Sequence, residues 1–175
     1  MRSFVLRILL AMLAILPGVA AGAETAPIFT APGITITDIG IYCRPGTSIK
    51  ETAPETTLGY VRQLPGTPEF AFRQQEVPAR LGVHFGVLVM SDHDIARVRN
   101  ETWRPGATRP DVWHTDLTAS APRARGFLFE FPDELVTGTW RMDAFDGGTL
   151  LYSVEWDVRP GDELPGISSD CDLLS

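Results

Sequence analysis

The chain has 175 residues, with 22 acidic and 15 basic side chains and a formal net charge of −7 at pH 7. All but one of the basic residues are arginine, and they form no basic run. An acidic chain of this kind is not suited to nucleic acid or to an anionic membrane surface, so both classes of partner are excluded.

The first 23 residues predict a Sec signal peptide. Arg2 and Arg7 precede the short apolar run Ile8–Leu16, and Ala21-Gly22-Ala23 offers the small residues that signal cleavage requires. The apolar run is about half as long as a bilayer span, so a buried N-terminal helix is the alternative rather than a membrane anchor. We expect a periplasmic or secreted protein with no membrane anchor after cleavage.

Two cysteines, Cys43 and Cys171, remain in the mature chain. In an oxidising compartment a lone pair of cysteines usually forms a disulfide, which would tie a C-terminal tail at 159–175 to the first strand. The alternatives are a metal pair or a reactive thiol, but the chain contains no Cys-x-x-Cys motif.

The N-terminal half of the mature chain predicts few clear elements. Residues 24–33 are expected to be a loose leader. Ile34–Cys43 is expected to form a first strand with a bulge near Thr37-Asp38, because the alternation of apolar and polar residues shifts there. The Pro- and Gly-rich segment 44–68 is expected to be a long surface loop with a short strand at Thr57–Gln63. Residues 69–76 predict a strand with Phe70 and Phe72 on one face.

Apolar residues at every second position predict four further strands in the middle of the chain. These strands are Leu81–Met90, covered on both faces, Ile95–Trp103, Val112–Thr118 and Gly126–Phe131. A corner with one helical turn is expected at 133–136.

The segment Gly138–Val158 carries the clearest pattern. It predicts two strands joined by a tight turn at Asp146-Gly147-Gly148. Trp140 and Trp156 occupy inward-facing positions of these strands and are predicted to be core residues. Many short strands without a helical apolar period predict an all-β chain. We therefore expect one immunoglobulin-like antiparallel β-sandwich of about seven strands at 34–158.

Three segments together resemble a bacterial exported family known only as a domain of unknown function, number 3859. They are Val77–Val87, Gly126–Phe131 followed by Glu134-Leu135-Val136, and Gly138-Thr139-Trp140 with the closing Val154–Val158. The resemblance covers 34–158 and implies a β-sandwich. It implies no activity and no catalytic residues.

Motifs for catalysis or cofactors are absent from the sequence. Asp92, His93 and Asp94 place metal-ligating side chains in one turn, with His114 as a further candidate, but no two histidines have the spacing typical of a metal site. There is no Gly-x-Ser-x-Gly and no Gly-rich phosphate loop. We expect no cofactor and no enzyme, and keep a small-ligand or metal carrier and a hydrolase as alternatives.

Binding is the remaining class of function. Trp103 and Trp113 flank the Pro/Gly loop 104–110, which carries Arg104 and Arg109. Trp and Arg are enriched at interface hot spots, and loops on a rigid sandwich commonly bind partners. These four residues are predicted to bind a protein or envelope component. The alternative is that the two Trp side chains simply close one end of the sandwich.

Overall fold

The computed structural model describes residues 26–42, 48–164 and 166–167. The predicted signal peptide at 1–23 and both cysteines lie outside these residues. Export and the Cys43–Cys171 disulfide therefore stay predictions.

Eleven strands form the described part of the fold. They are β1 (Ile28–Thr30), β2 (Ile34–Tyr42), β3 (Ile49–Thr52), β4 (Tyr60–Gln63), β5 (Glu76–Ala79), β6 (His84–Ser91), β7 (Ile95–Trp103), β8 (Asp111–Leu117), β9 (Arg123–Leu128), β10 (Gly138–Asp146) and β11 (Thr149–Pro160). A 3₁₀ turn at Pro132–Glu134 separates β9 from β10. The predicted count of about seven strands is too low. Four of the strands, β1, β3, β4 and β5, have only three or four residues and show little alternation in the sequence.

Two sheets form the sandwich. The larger sheet has the order β1-β11-β10-β7-β8, with β5 also paired to β11, and the smaller has the order β2-β6-β9. All pairs are antiparallel except β5–β11. Strands β3 and β4 form a separate two-stranded hairpin outside both sheets. The predicted all-β sandwich is confirmed.

The β10–β11 hairpin anchors the core, as predicted. Trp140 and Trp156 lie directly opposite each other and are fully buried. Their rings contact Phe85 of the facing sheet at centroid distances of 5.9 and 5.1 Å. The turn between the strands uses a positive φ of 53° at Gly147.

Register shifts occur in three of the strand pairs, β2–β6, β10–β11 and β7–β8, the last between Ile95 and Val98. The predicted bulge in β2 is present, because the pairing with β6 shifts between Ile36 and Asp38. A second bulge lies in β11, where Tyr152 pairs with Ala144 but Leu150 pairs with Phe145. Leu151 is the extra residue, which explains why it is buried although simple alternation places it on the solvent face.

Two segments predicted to be irregular contain strands. Residues 28–30 of the expected leader form β1 and pair with β11. The expected surface loop 44–68 contains the β3–β4 hairpin, whereas the sequence pattern predicts only a strand near β4. Short, polar strands of this kind show too little alternation to stand out from a loop.

The prediction of a strand at 69–76 is wrong. The segment makes a single bridge, in which Ile41 N donates to Phe72 O (2.8 Å), and ordered pairing resumes only at β5. The chain here crosses from the edge of the smaller sheet to the edge of the larger one, so it cannot remain in one ladder. Phe70 and Phe72 reflect packing during this crossing rather than strand alternation.

The outer face of the smaller sheet is covered, as predicted for the strand Leu81–Met90. Tyr42, Phe70 and Leu88 form a second apolar cluster on this face. Beneath that cluster, Gly40, Gly86 and Gly126 stand side by side across β2, β6 and β9.

These glycines permit close approach. A Cβ atom on Gly40 would lie 1.9 Å from the carbonyl oxygen of Phe72, and one on Gly126 would lie 2.6 Å from the Tyr42 hydroxyl. The crossing segment and the Tyr42 ring can therefore lie directly on the sheet.

The C-terminal segment returns to the sandwich after β11. Ile167 is buried within the main core cluster, and Leu164 packs against it. The segment from 168 onwards, including Cys171, is outside the described residues.

Candidate functional site

A cleft lies between strands β8 and β9, which are the edges of their sheets, and the β3–β4 hairpin covers it. On the β8 side, Val112 N donates to Glu55 O (3.2 Å). On the β9 side, Arg62 of β4 forms an ion pair with Glu130. The space enclosed, which we call the hairpin cleft, is a cavity of about 90 Å³ bounded by the hairpin and the two strand edges.

One charged pair joins the loop after β7 to the start of β8. Arg104 Nη2 lies 2.5 Å from Asp111 Oδ2, and both side chains are largely buried. The Arg104 guanidinium also lies over the Phe127 ring at 5.4 Å. Asp111 Oδ1 accepts hydrogen bonds from Thr57 N (2.6 Å) and Thr57 Oγ1 (2.7 Å). Asp111 thus fastens the hairpin to the sandwich.

A second charged pair closes the opposite side of the cleft. Glu130 accepts from Arg62 and from the Tyr60 hydroxyl (3.3 Å). The hydrogen bond from Arg62 holds the pKa of the Glu130 carboxyl below its ordinary value. Ionised Glu130 therefore holds β4 against the end of β9.

Glu134 is a buried carboxyl in the wall of the cleft. Its Oε2 accepts from the backbone N–H groups of Glu130 (2.6 Å) and Phe131 (2.9 Å) in the 3₁₀ turn. Its Oε1 has no hydrogen-bond partner. Burial raises the pKa of this carboxyl, although the two N–H donors oppose that shift.

His84 lies on the outer face of β6 and borders both the hairpin cleft and a second cavity of about 200 Å³. Its imidazole stacks on Tyr42 with ring centroids 4.2 Å apart. Burial, reinforced by the charge of Arg62, lowers the His84 pKa from 6.5 to about 3. The ring is therefore neutral at physiological pH, and its Nδ1 has no hydrogen-bond partner.

The buried His84 predicts a loss of stability in acid. Between the unfolded pKa of 6.5 and the folded pKa of about 3, the unfolded chain binds a proton that the folded chain does not. Stability therefore falls as pH falls through this window. We expect His84 to account for a loss of about 2–3 kcal/mol between pH 7 and pH 4.5.

Urea unfolding of wild type and His84→Gln at these two pH values measures that contribution. The variant should lose less stability on acidification than wild type by about 2–3 kcal/mol. Equal pH dependence of wild type and His84→Gln would contradict the burial of a neutral His84.

Unpartnered buried polar atoms are concentrated at the hairpin cleft. In the described ranges, seven buried side-chain nitrogen or oxygen atoms have no hydrogen-bond partner. Five of them belong to residues that line the cleft: Arg62, His84, Thr102, Arg125 and Glu134. Because buried polar groups are normally satisfied, such a concentration indicates a place where water or a ligand supplies the missing partners.

The four residues predicted to bind a partner are divided between two faces. Trp113 lies opposite the buried Asn100 and faces inward, where it lines the hairpin cleft together with Arg104. Trp103 points to the other face of the same sheet, where its Nε1 donates to Glu101 Oε2 (2.9 Å) and Arg141 lies over its ring. Arg109 is exposed in the loop. Their role in binding stays a prediction.

The side chains of the turn predicted as a metal-site candidate already form hydrogen bonds within the protein. His93 Nδ1 lies 2.6 Å from Asp92 Oδ1, and Asp94 Oδ1 accepts from Ala119 N (2.9 Å). His114 is exposed on β8. Within the part of the chain that the structure describes, no three His, Cys, Asp or Glu side chains are placed to hold a metal ion together.

Sequence reasoning missed the main residues of the cleft: Arg62, His84, Glu130 and Glu134. A local signal existed only for His84, which interrupts an apolar strand at an outward position. Glu130 and Glu134 are only four positions apart, but Arg62 is 68 positions from Glu130 and meets it only because the hairpin folds across β9.

Comparison with known proteins identifies the family. Residues 31–158 match the family described as a domain of unknown function, DUF3859. The chain belongs to this family. The resemblance noted from the sequence is thereby confirmed, and the DUF3859 region spans the sandwich from the end of β1 to β11.

An immunoglobulin-like protein from Pseudomonas aeruginosa, known from a crystal structure, is similar to this DUF3859 chain. The two are 23% identical, the match covers 79% of this chain and 100% of the other, and the TM-score is 0.46. A search of curated proteins found no match. Among the described residues, no helix is long and apolar enough to cross a membrane.

Proposed function

We propose that this DUF3859 chain is an exported, non-catalytic binding module whose ligand occupies the hairpin cleft. The observation that carries the proposal is that five lining residues each have a buried polar atom without a partner. Leaving a buried polar atom unpaired costs free energy, whereas a ligand with matching polar groups recovers that cost. Export rests on the signal peptide predicted at residues 1–23.

The chemistry of the cleft supports binding rather than catalysis. Two of its carboxylates are held by arginines, Asp111 by Arg104 and Glu130 by Arg62. His84 has a pKa of about 3, so it is a poor general base at neutral pH. These groups are arranged to hold fixed hydrogen bonds, which suits recognition of a ligand.

The hairpin is attached in a way that permits a ligand to enter. All four residues of β3 are exposed and those of β4 are only half-buried. Polar contacts at Thr57–Asp111 and Arg62–Glu130 therefore carry much of the attachment. The Thr57 contact is exposed and the Arg62 side chain is 26% exposed, so these contacts open more readily than contacts within the core.

A protein or envelope component that binds the loop 104–110 is the second candidate. Arg109 is exposed there, and Trp103 lies half-buried beside the loop with Arg141 over its ring. In this alternative the binding residues are Trp103 and Arg109 rather than those of the cleft.

A thermal-shift screen of the purified protein against a library of small polar metabolites distinguishes the two candidates. Compounds that raise the Tm of wild type should lose about tenfold or more in affinity with Trp113→Ala, which removes one wall of the cleft. Trp103→Ala is the matched control, since it removes a half-buried Trp from the opposite face of the neighbouring strand.

Two results would overturn the cleft proposal. One is a set of ligands whose affinity falls with Trp103→Ala or Arg109→Ala but not with Trp113→Ala. The other is the absence of any ligand for a wild-type protein that unfolds cooperatively in urea. Cooperative unfolding of Trp113→Ala confirms that lost binding does not reflect a lost fold.

A further inference from the structure

We infer that the hairpin cleft binds a neutral, polyhydroxylated group of the kind found in a sugar ring. The inference rests on the proposed function of the cleft and specifies the chemistry of its ligand. Three features of the cleft carry it: the balance of its charges, its mixture of unpaired donors and acceptors, and its aromatic walls.

The charged side chains that line the cleft balance one another. Three guanidinium groups face three carboxyl groups: Arg62, Arg104, Arg125, Asp111, Glu130 and Glu134. Two of each are already joined as ion pairs. Because the formal charges of the cleft balance, a charged ligand would leave a net charge in a largely buried space, which is costly, whereas a neutral ligand would not.

The unpaired atoms include both donors and acceptors. Arg62 Nε and Arg125 Nε can only donate, whereas the Glu134 carboxyl oxygen Oε1 can accept. Thr102 Oγ1 can do either. A hydroxyl group donates one hydrogen bond and accepts two, so a ligand with several hydroxyls matches this mixture. An anion would satisfy only the donors, and an ammonium group only the acceptor.

The remaining walls suit the apolar face of a sugar ring. Tyr60, Trp113 and Phe127 line the cleft, but Lys50 lies over the Tyr60 ring and Arg104 over the Phe127 ring, so Trp113 is the main candidate surface. Flat aromatic surfaces pack against aliphatic C–H groups, while the Tyr hydroxyl keeps a polar contact, here to Glu130. The neighbouring cavity of about 200 Å³ shares Arg62, His84 and Arg125 with the cleft. A ligand longer than one ring can therefore extend into it.

The test uses sugars that share a ring and differ in charge. Saturation-transfer NMR on the purified full-length domain compares glucose and N-acetylglucosamine with glucosamine, which is cationic, and glucuronate, which is anionic. We expect the neutral sugars to bind about tenfold or more tightly than either charged one. Cosedimentation with an insoluble glucan shows whether the sugar is recognised free or within a polysaccharide.

Three variants locate the binding and separate it from folding. Trp113→Ala should abolish the transfer signal, and Trp103→Ala should retain it. Thr102→Val removes an unpaired buried hydroxyl without changing the shape of the side chain, so it should weaken sugar binding while leaving the urea midpoint unchanged or higher.

The outcomes for this inference and for the proposed function are distinct. Tighter binding of glucosamine or glucuronate than of the neutral sugars overturns the inference, as does a library screen whose cleft ligands are all charged. Either result leaves the cleft as a binding site. Binding of neutral sugars that survives Trp113→Ala also overturns the inference, because the sugar would then lie elsewhere.

Discussion

Replacement of Trp140 by alanine is expected to lower the free energy of unfolding by about 3–5 kcal/mol. The Trp140 side chain is fully buried and its ring contacts Phe127 at a centroid distance of 5.0 Å and Phe129 at 5.6 Å. Its Nε1 also donates to Val136 O (2.7 Å). Truncation leaves a cavity between the two sheets and removes the donor to Val136 O.

Urea unfolding followed by circular dichroism measures this loss. Trp103→Ala is the control, since its side chain lies on the outer face of the same sheet and is only half-buried. We expect this control to lose about 1 kcal/mol or less. Similar losses for the two variants would contradict the placement of Trp140 in the core and Trp103 outside it.

Replacement of Gly86 by alanine is expected to destabilise the domain by about 3 kcal/mol or more, the upper end of the cost of overpacking. The added Cβ would lie 2.1 Å from the carbonyl oxygen of Arg125 and 2.6 Å from the Cα of Gly126. Both atoms belong to the backbone of β9, so no side-chain rotation can relieve the clash. The β6–β9 ladder would have to separate, and with it one wall of the hairpin cleft.

Gly66→Ala is the matched control for this substitution. Gly66 has open space around its Cβ position and no positive φ, so alanine should change stability by less than about 0.5 kcal/mol. Urea midpoints for the two variants give the comparison. A Gly86→Ala protein as stable as wild type would show that β6 and β9 are not paired at Gly86–Gly126 as described.

The β10–β11 hairpin was predictable because its information is local. Both strands and their turn lie within one short segment, the apolar residues alternate, and the turn carries the glycine that a positive φ requires. Inward Trp140 and Trp156 follow directly from that alternation. The buried Leu151 was not predictable, since the bulge that turns it inward depends on pairing with β1 and β10.

The hairpin cleft was not predictable because its contacts join distant parts of the chain. Thr57 and Asp111 are 54 positions apart, and Arg62 and Glu130 are 68 apart. Nothing in the polar segment 48–63 indicates which sheet edges it will cover. The row of Gly40, Gly86 and Gly126 likewise becomes visible only when the register of three strands is known.

The loop predicted to bind a partner shows that residues close together in the sequence can belong to two different surfaces. Trp103 and Trp113 flank the same loop, yet strand alternation and the β7–β8 register place them on opposite faces. Only Trp113 joins Arg104 at the cleft. The sequence identified residues around one loop, and the register divided them between two candidate surfaces.

Ligand binding in the hairpin cleft is tested most directly by amide chemical-shift mapping by NMR. Titration of the labelled protein with N-acetylglucosamine, or with the best ligand from the polar library, should shift the amides of Arg62, Trp113 and Gly126 most strongly. Shifts centred on Trp103 and the exposed loop residue Arg109, with the cleft amides unchanged, would contradict it.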